Sequence, residues 1–184
     1  MRRSLLFLPV IALCAGIPFA HAQGVQGQTP AAVRAKTSKP ITSTNTRFMI
    51  NAAQAGDAEM DLAALAAGKT KTPEVTQLAA RIKSDHEEAA AQLKALATQK
   101  DVALPSSPTA AHKATRARLD KLSDAAFDRA FAAQMVADHR AAITLFTTAT
   151  KTSDVDVKAF AEKTLPILKD HLQRSIDLQK TLAK

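Results

Sequence analysis

The chain alternates apolar and polar positions with a spacing of three and four through four long stretches, the period of helices that each bury one face. The first stripe is Phe48, Ala52, Ala55, Glu59, Leu62 and Ala66. The second is Val75, Ala79, Ile82, His86, Ala89, Leu93 and Leu96. The third is Asp128, Phe131, Met135, His139, Ala142, Phe146 and Ala149, and the fourth runs Val157, Ala161, Thr164, Leu168, His171, Ser175, Leu178 and Leu182. No stretch alternates every second residue with β-branched side chains, so no sheet is predicted.

Punctuation sets the expected helix limits. The first long helix is predicted from Arg47 to Ala67, with Gly68 as its stop. Thr72-Pro73-Glu74 opens the second as cap and first turn, and it runs to Lys100. The third spans Ser123 or Asp124 to Lys151; the fourth is capped by Ser153 or Asp154, ends near Leu182 and contains Pro166, which is expected to kink it or to free a carbonyl locally. The first and second helices, and the third and fourth, are joined by a few residues each and form antiparallel hairpins. Asp101 to Leu122 is longer, opens with "LPSSP", and holds a predicted short helix within "TAAHKATRARLDKL". The fold class is therefore all-α: a four-helix bundle with a long connection between its second and third helices, able to travel the length of the bundle.

Each stripe carries one polar side chain able to bind a metal: Glu59, His86, His139 and His171. At 1.5 Å per residue, the crossover topology places these four at similar depth along the bundle. A buried carboxylate is costly unless it is paired, neutralised or bound to a cation. Three imidazoles and one carboxylate suit a mononuclear Zn, Fe or Cu site. The same four groups also suit a metal-free polar network that fixes helix register. Asp85, Asp138 and Asp170 directly precede the three histidines and point elsewhere around their helices. With Asp128 they are alternative ligands, or acceptors that orient a histidine on a neighbouring helix. No nucleophile motif and no second carboxylate beside Glu59 is evident, so catalysis ranks behind metal binding and structural roles.

The N-terminus changes the picture of location. Residues 1–22, "MRRSLLFLPVIALCAGIPFAHA", join two arginines, an apolar run and small residues, the pattern of a cleaved signal sequence. Residues 23–46 are rich in Gln, Thr, Ser, Gly and Pro and read as a flexible linker, which leaves 47–184 as the domain. The protein is thus expected in the periplasm or on the periplasmic face of the outer membrane, with no membrane span after cleavage. The sole cysteine, Cys14, lies in the signal, so no disulfide supports the domain. The net charge of +8 also belongs to the N-terminal part: from Phe48 onward there are 19 basic and 17 acidic residues. With neither Tyr nor Trp and no basic helix face, nucleic acid is excluded as a partner; envelope proteins or further copies of the chain remain.

The segments "FMINAAQAGDAEMDLAALA", "LAARIKSDHEEAAAQLKALA", "FDRAFAAQMVADHRAAITLF" and "AEKTLPILKDHLQRSIDLQK" resemble a family of exported bacterial proteins, a domain of unknown function in the ferritin-like superfamily whose members are often labelled outer membrane proteins. The resemblance covers Phe48 to Leu178. It implies a ferritin-like bundle in the cell envelope with no assigned reaction, and recurrent polar positions at Glu59, Asp85, His86, Asp128, His139 and His171. Ferritin di-iron sites use Glu-x-x-His on two helices. Here Lys83, Val136 and Leu168 stand three residues before the histidines, so di-iron chemistry is not expected. Without tyrosine, a tyrosyl radical is excluded.

Overall fold

The computed structural model describes residues 41–184. The expected signal sequence (1–22) and most of the expected linker (23–46) lie outside the described residues. Five helices follow one another: α1 (Ser43–Lys69), α2 (Pro73–Gln99), α3 (Ala110–Asp120), α4 (Asp124–Ala149) and α5 (Val155–Thr181). There is no strand among the described residues. The four long helices form a bundle in which α1 packs on α2 and α4, and α5 packs on α2 and α4. The short α3 lies against α1 and α4.

The stripes account for the packing. Every stripe position is buried except Ala55, Ala89 and Leu182, which are half-buried. Burying the large apolar side chains supplies the main driving force, about 2–3 kcal/mol for each of Phe127, Phe131 and Ile82, which are fully buried. The apolar core is split in two. One cluster gathers Leu62, Ala66, Val75, Ile82, Leu119, Phe127, Phe131, Met135 and Leu178. The other gathers Phe48, Ala52, Leu93, Leu96, Ala142, Phe146, Phe160 and Leu168, with Phe48 edge-on to Phe146 at 5.1 Å. Between them lies a layer of buried polar side chains, described below.

Helix ends differ from expectation where a local hydrogen bond overrides the sequence cue. α1 starts four residues before Arg47, because Thr42 accepts the Asn45 N–H at 3.2 Å and caps it. Gly68 stays helical and the chain leaves the helix at Thr70. α5 is continuous through Pro166, whose missing N–H leaves one carbonyl of the turn without its helical donor. α2 ends in a Schellman motif: the Val102 N–H donates to Ala97 O at 2.9 Å and the Asp101 N–H to Thr98 O at 3.3 Å. The motif needs a left-handed residue, and Asp101 fills it with φ 54°.

Polar clamps fix the helix ends against one another. Lys100, at the end of α2, bonds Asp154 at 2.9 Å and Asp156 at 2.7 Å at the start of α5. Arg116 of α3 bonds Asp61 of α1 at 2.9 Å. The Thr72 hydroxyl, beside the α1–α2 turn, donates to Asp128 Oδ2 of α4 at 2.5 Å instead of capping its own helix.

Two outcomes are expected. Asp101→Gly removes the cost of a β-carbon in the left-handed region and raises stability by about 0.5–1 kcal/mol, read from urea unfolding midpoints. Thr72→Ala strips the buried Asp128 carboxylate of its hydroxyl donor and lowers stability by about 1–3 kcal/mol in the same assay.

Candidate metal centre

The polar layer is made by one side chain from each long helix. Glu59 (α1), His86 (α2), His139 (α4) and His171 (α5) are buried, with Glu59 1%, His139 0% and His171 0% exposed. They occupy the place on each stripe where an apolar residue would otherwise continue the core. On α4, for example, Met135 one turn before His139 belongs to one apolar cluster and Ala142 after it to the other.

Ring centroids of the three histidines are 5.1 Å (His139–His171), 5.5 Å (His86–His171) and 5.8 Å (His86–His139) apart. One nitrogen from each ring lies within 4.8 Å of the other two. Glu59 stands beside them. Its Oε2 is 3.0 Å from His86 Nε2 and its Oε1 is 3.5 Å from His139 Nδ1. Neither approach is aligned for hydrogen bonding, so both carboxylate oxygens and His86 Nε2 are buried with no hydrogen-bond partner among the described residues.

Neighbouring acceptors decide the tautomers. His139 Nδ1 is 2.9 Å from the Met135 carbonyl, one turn earlier on α4. A carbonyl only accepts, so the Nδ1 proton is assigned there and Nε2 presents a lone pair. His171 Nε2 is 2.9 Å from Asp85 Oδ2 on α2. The carboxylate also only accepts, which leaves a lone pair on His171 Nδ1. His139 Nε2 and His171 Nδ1 face each other at 3.2 Å. Two lone pairs at that distance repel unless a positive charge joins them, whether an extra proton or a cation.

The electrostatics point the same way. Burial pushes the Glu59 carboxyl up, but the close His86 imidazole, with His139 and His171, outweighs burial and holds it below its ordinary value. Burial depresses the His171 imidazole; the Asp85 bond works against this, His139 and His86 add to it, and the result is a drop from 6.5 to about 4. Burial also acts on Asp85, yet its bonds from His171 and from Arg81 (2.5 Å) keep its carboxyl lowered.

The remaining aspartates are spread out. Asp85 orients His171 across the α2–α5 interface rather than its own neighbour His86. Asp138 is half-buried and accepts from Gln134 at 2.9 Å; burial raises its carboxyl, the Gln134 bond opposes that, and the Glu59 charge adds to it. Asp128 sits with Thr72 beside the first apolar cluster, and Asp170 pairs with Arg174 at 2.7 Å on the surface. One contributor escapes a reading of side-chain types: the Met135 carbonyl, since backbone acceptors carry no residue signal.

In chelator-treated protein, His171 makes acid destabilising. The unfolded chain takes up its proton near pH 6.5, the folded chain only near pH 4, so stability falls as pH drops through that window, by up to about 3 kcal/mol at the acid end. Glu59 and Asp85, both lowered, contribute stability above the ordinary carboxylate range that is lost only below it. Urea midpoints measured between pH 7 and pH 4 check the slope, which flattens in His171→Gln.

The geometry can be set beside known proteins. A family model described as "Domain of unknown function (DUF4142)" matches residues 29–178. No curated protein matches the sequence. Among solved structures, the crystal structure of a DUF305 fragment from Deinococcus radiodurans is similar with a TM-score of 0.69 at 18% identity, covering 79% of this chain and 99% of that one. CopM in its Cu(I)-bound form is similar with a TM-score of 0.64 at 19% identity, covering 76% of this chain and 98% of that one. At these identities the likeness is one of fold.

Proposed function

Since the chain belongs to the DUF4142 family, whose description assigns no activity, its role has to be argued from the site, and we propose that it is an exported protein binding one transition-metal ion through Glu59, His86, His139 and His171. The observation that carries this reading is the pair of lone pairs on His139 Nε2 and His171 Nδ1, 3.2 Å apart. Two imidazole nitrogens bound to one tetrahedral ion at 2.0–2.1 Å stand about 3.3 Å from each other. A cation also supplies the counter-charge that the buried, unbonded Glu59 carboxylate lacks.

Three neutral imidazoles and a carboxylate fit Zn, Fe or Cu. The similarity to a protein solved with Cu(I) bound makes copper one of the ions to test first. Asp85 and the Met135 carbonyl then act on the bound ion indirectly, by holding His171 and His139 in the tautomers that ligate. We read the bundle as a ferritin-like arrangement whose long connection, residues 100–123 with α3, returns the chain to the end where α4 begins. This rests on α2 ending among the residues of one apolar cluster and α4 starting in the other. The chemistry inside differs from a di-iron centre, since a single carboxylate serves the layer. The signal pattern of residues 1–22 supports export to the periplasm or the periplasmic face of the outer membrane. No described helix is long and apolar enough to cross a membrane.

A second reading has its own observation. If His86 carries two protons, its 3.0 Å approach to Glu59 is an ion pair, and the layer is a metal-free network that sets helix register for an envelope interaction module.

The deciding measurement is metal content. Protein purified from the cell envelope without chelators, analysed by elemental mass spectrometry, is expected to hold about one transition-metal ion per chain and to release protons on reloading. His86→Ala and His139→Ala are expected to lose it while remaining helical by circular dichroism. Metal-free wild type that takes up no ion at neutral pH overturns the reading in favour of the polar network.

A further inference from the structure

Next to the polar layer, on the side of the second apolar cluster, the bundle holds a partly open cavity of about 30 Å³. All four long helices line it. The space exists because Ala52, Ala89 and Ala142 are small one turn from Phe48, Leu93 and Phe146, and Gly56 has no side chain at all. Its walls include Phe146, Phe160 and Leu168, and its polar end is Glu59 and His86. Both carry buried polar atoms with no hydrogen-bond partner among the described residues, as do His112 and Asp128 away from the cavity. The remaining polar wall residue, Thr164, has its hydroxyl committed to Phe160 O at 2.9 Å.

Size and chemistry narrow the occupant. A single water needs roughly 10–15 Å³ of such space, so the cavity holds a ligand of about two heavy atoms. Its walls offer such a ligand no free hydrogen bond except at Glu59 and His86. An anion would meet the Glu59 carboxylate in an apolar chamber, an expensive arrangement. A strongly hydrated molecule would give up its water bonds without replacement. What fits is a small, uncharged, weakly hydrated molecule, of which dioxygen is the type. The access route is between α1 and α2. Ala55 and Ala89, two of the three stripe positions that are only half-buried, both lie on the cavity wall, together with half-buried Ala53, Gly56 and Ala90.

We propose that this cavity is a binding chamber for a neutral diatomic molecule, which approaches the metal ion on its Glu59–His86 side. The inference rests on the metal-binding reading above and adds to it that the four-coordinate ion accepts a small molecule as a fifth ligand. Glu59 and His86 form both the polar end of the chamber and half of the ligand set, so ligand and ion meet there. The alanines that leave the space are outside the ligand set, so the chamber can be filled without removing a donor.

The test uses the purified chain loaded anaerobically with Fe(II), or with Co(II) if iron does not bind, and nitric oxide as the neutral diatomic probe. Metal content is measured first and adduct formation is then followed by visible absorption and electron paramagnetic resonance. Wild type is expected to form one adduct per bound ion. Ala142→Leu is expected to weaken the adduct by at least about tenfold at unchanged metal content. Ala52→Val, a smaller filling, serves if Ala142→Leu does not fold and is expected to weaken it in the same direction. Loaded wild type that forms no adduct, or filled variants that bind nitric oxide as wild type does, overturn the chamber and leave the metal site standing. Protein that takes up no metal overturns both.

Discussion

The bundle is organised around one electrostatic problem: a carboxylate and three imidazoles buried in a slab of protein with apolar clusters above and below. Glu59 is 1% exposed and its oxygens have no aligned donor. Everything near it is arranged to make that burial tolerable. Histidines converge from the three other long helices, Asp85 reaches across an interface to hold one of them, and a backbone carbonyl holds another. Breaking such a layer by removing a single partner is costlier than replacing it wholesale with apolar groups, because the partner left behind remains buried. The layer is therefore an all-or-none feature, and it ties the rotation and axial position of each long helix to those of the other three.

Much of this was legible in the sequence, for a physical reason. Helix packing demands a stripe of period 3.6, and a polar residue on that stripe has nowhere to go but inward. That is why Glu59, His86, His139 and His171 could be picked out together. Their convergence depends on depth as well as face, and depth followed from the helix limits, which the chain marks with Pro73, Asp154 and the short turns. The limits were less legible where a side chain's partner lies far off in sequence. Thr72 reads as a helix cap, yet its hydroxyl serves Asp128, 56 residues away. Gly68 reads as a stop, yet nothing there forces the helix to end.

The aspartates show the boundary of sequence reasoning most clearly. Asp85, Asp138 and Asp170 stand in the same Asp-His context, and the context implies a common role. The structure gives them three different ones: orienting His171, sitting half-buried against Gln134, and pairing with Arg174 at the surface. What separates them is the neighbouring helix each one faces, a property of assembly rather than of local sequence. The cavity is illegible for a related reason. Alanine on a stripe normally marks close helix approach, and only the sum of several alanines across the helices leaves a void.

The division of the apolar core has a consequence for how the domain comes apart. Each apolar cluster draws on all four long helices, and the two are joined through a layer whose members repel or attract according to charge. Without a cation at the centre, the two ends are coupled mainly by helix continuity, and each can loosen with its own opening free energy. An ion held as proposed, by side chains from four helices, would join the ends mechanically. Loading would then alter cooperativity itself: amides at opposite ends of the bundle would exchange with solvent as one unit rather than as two.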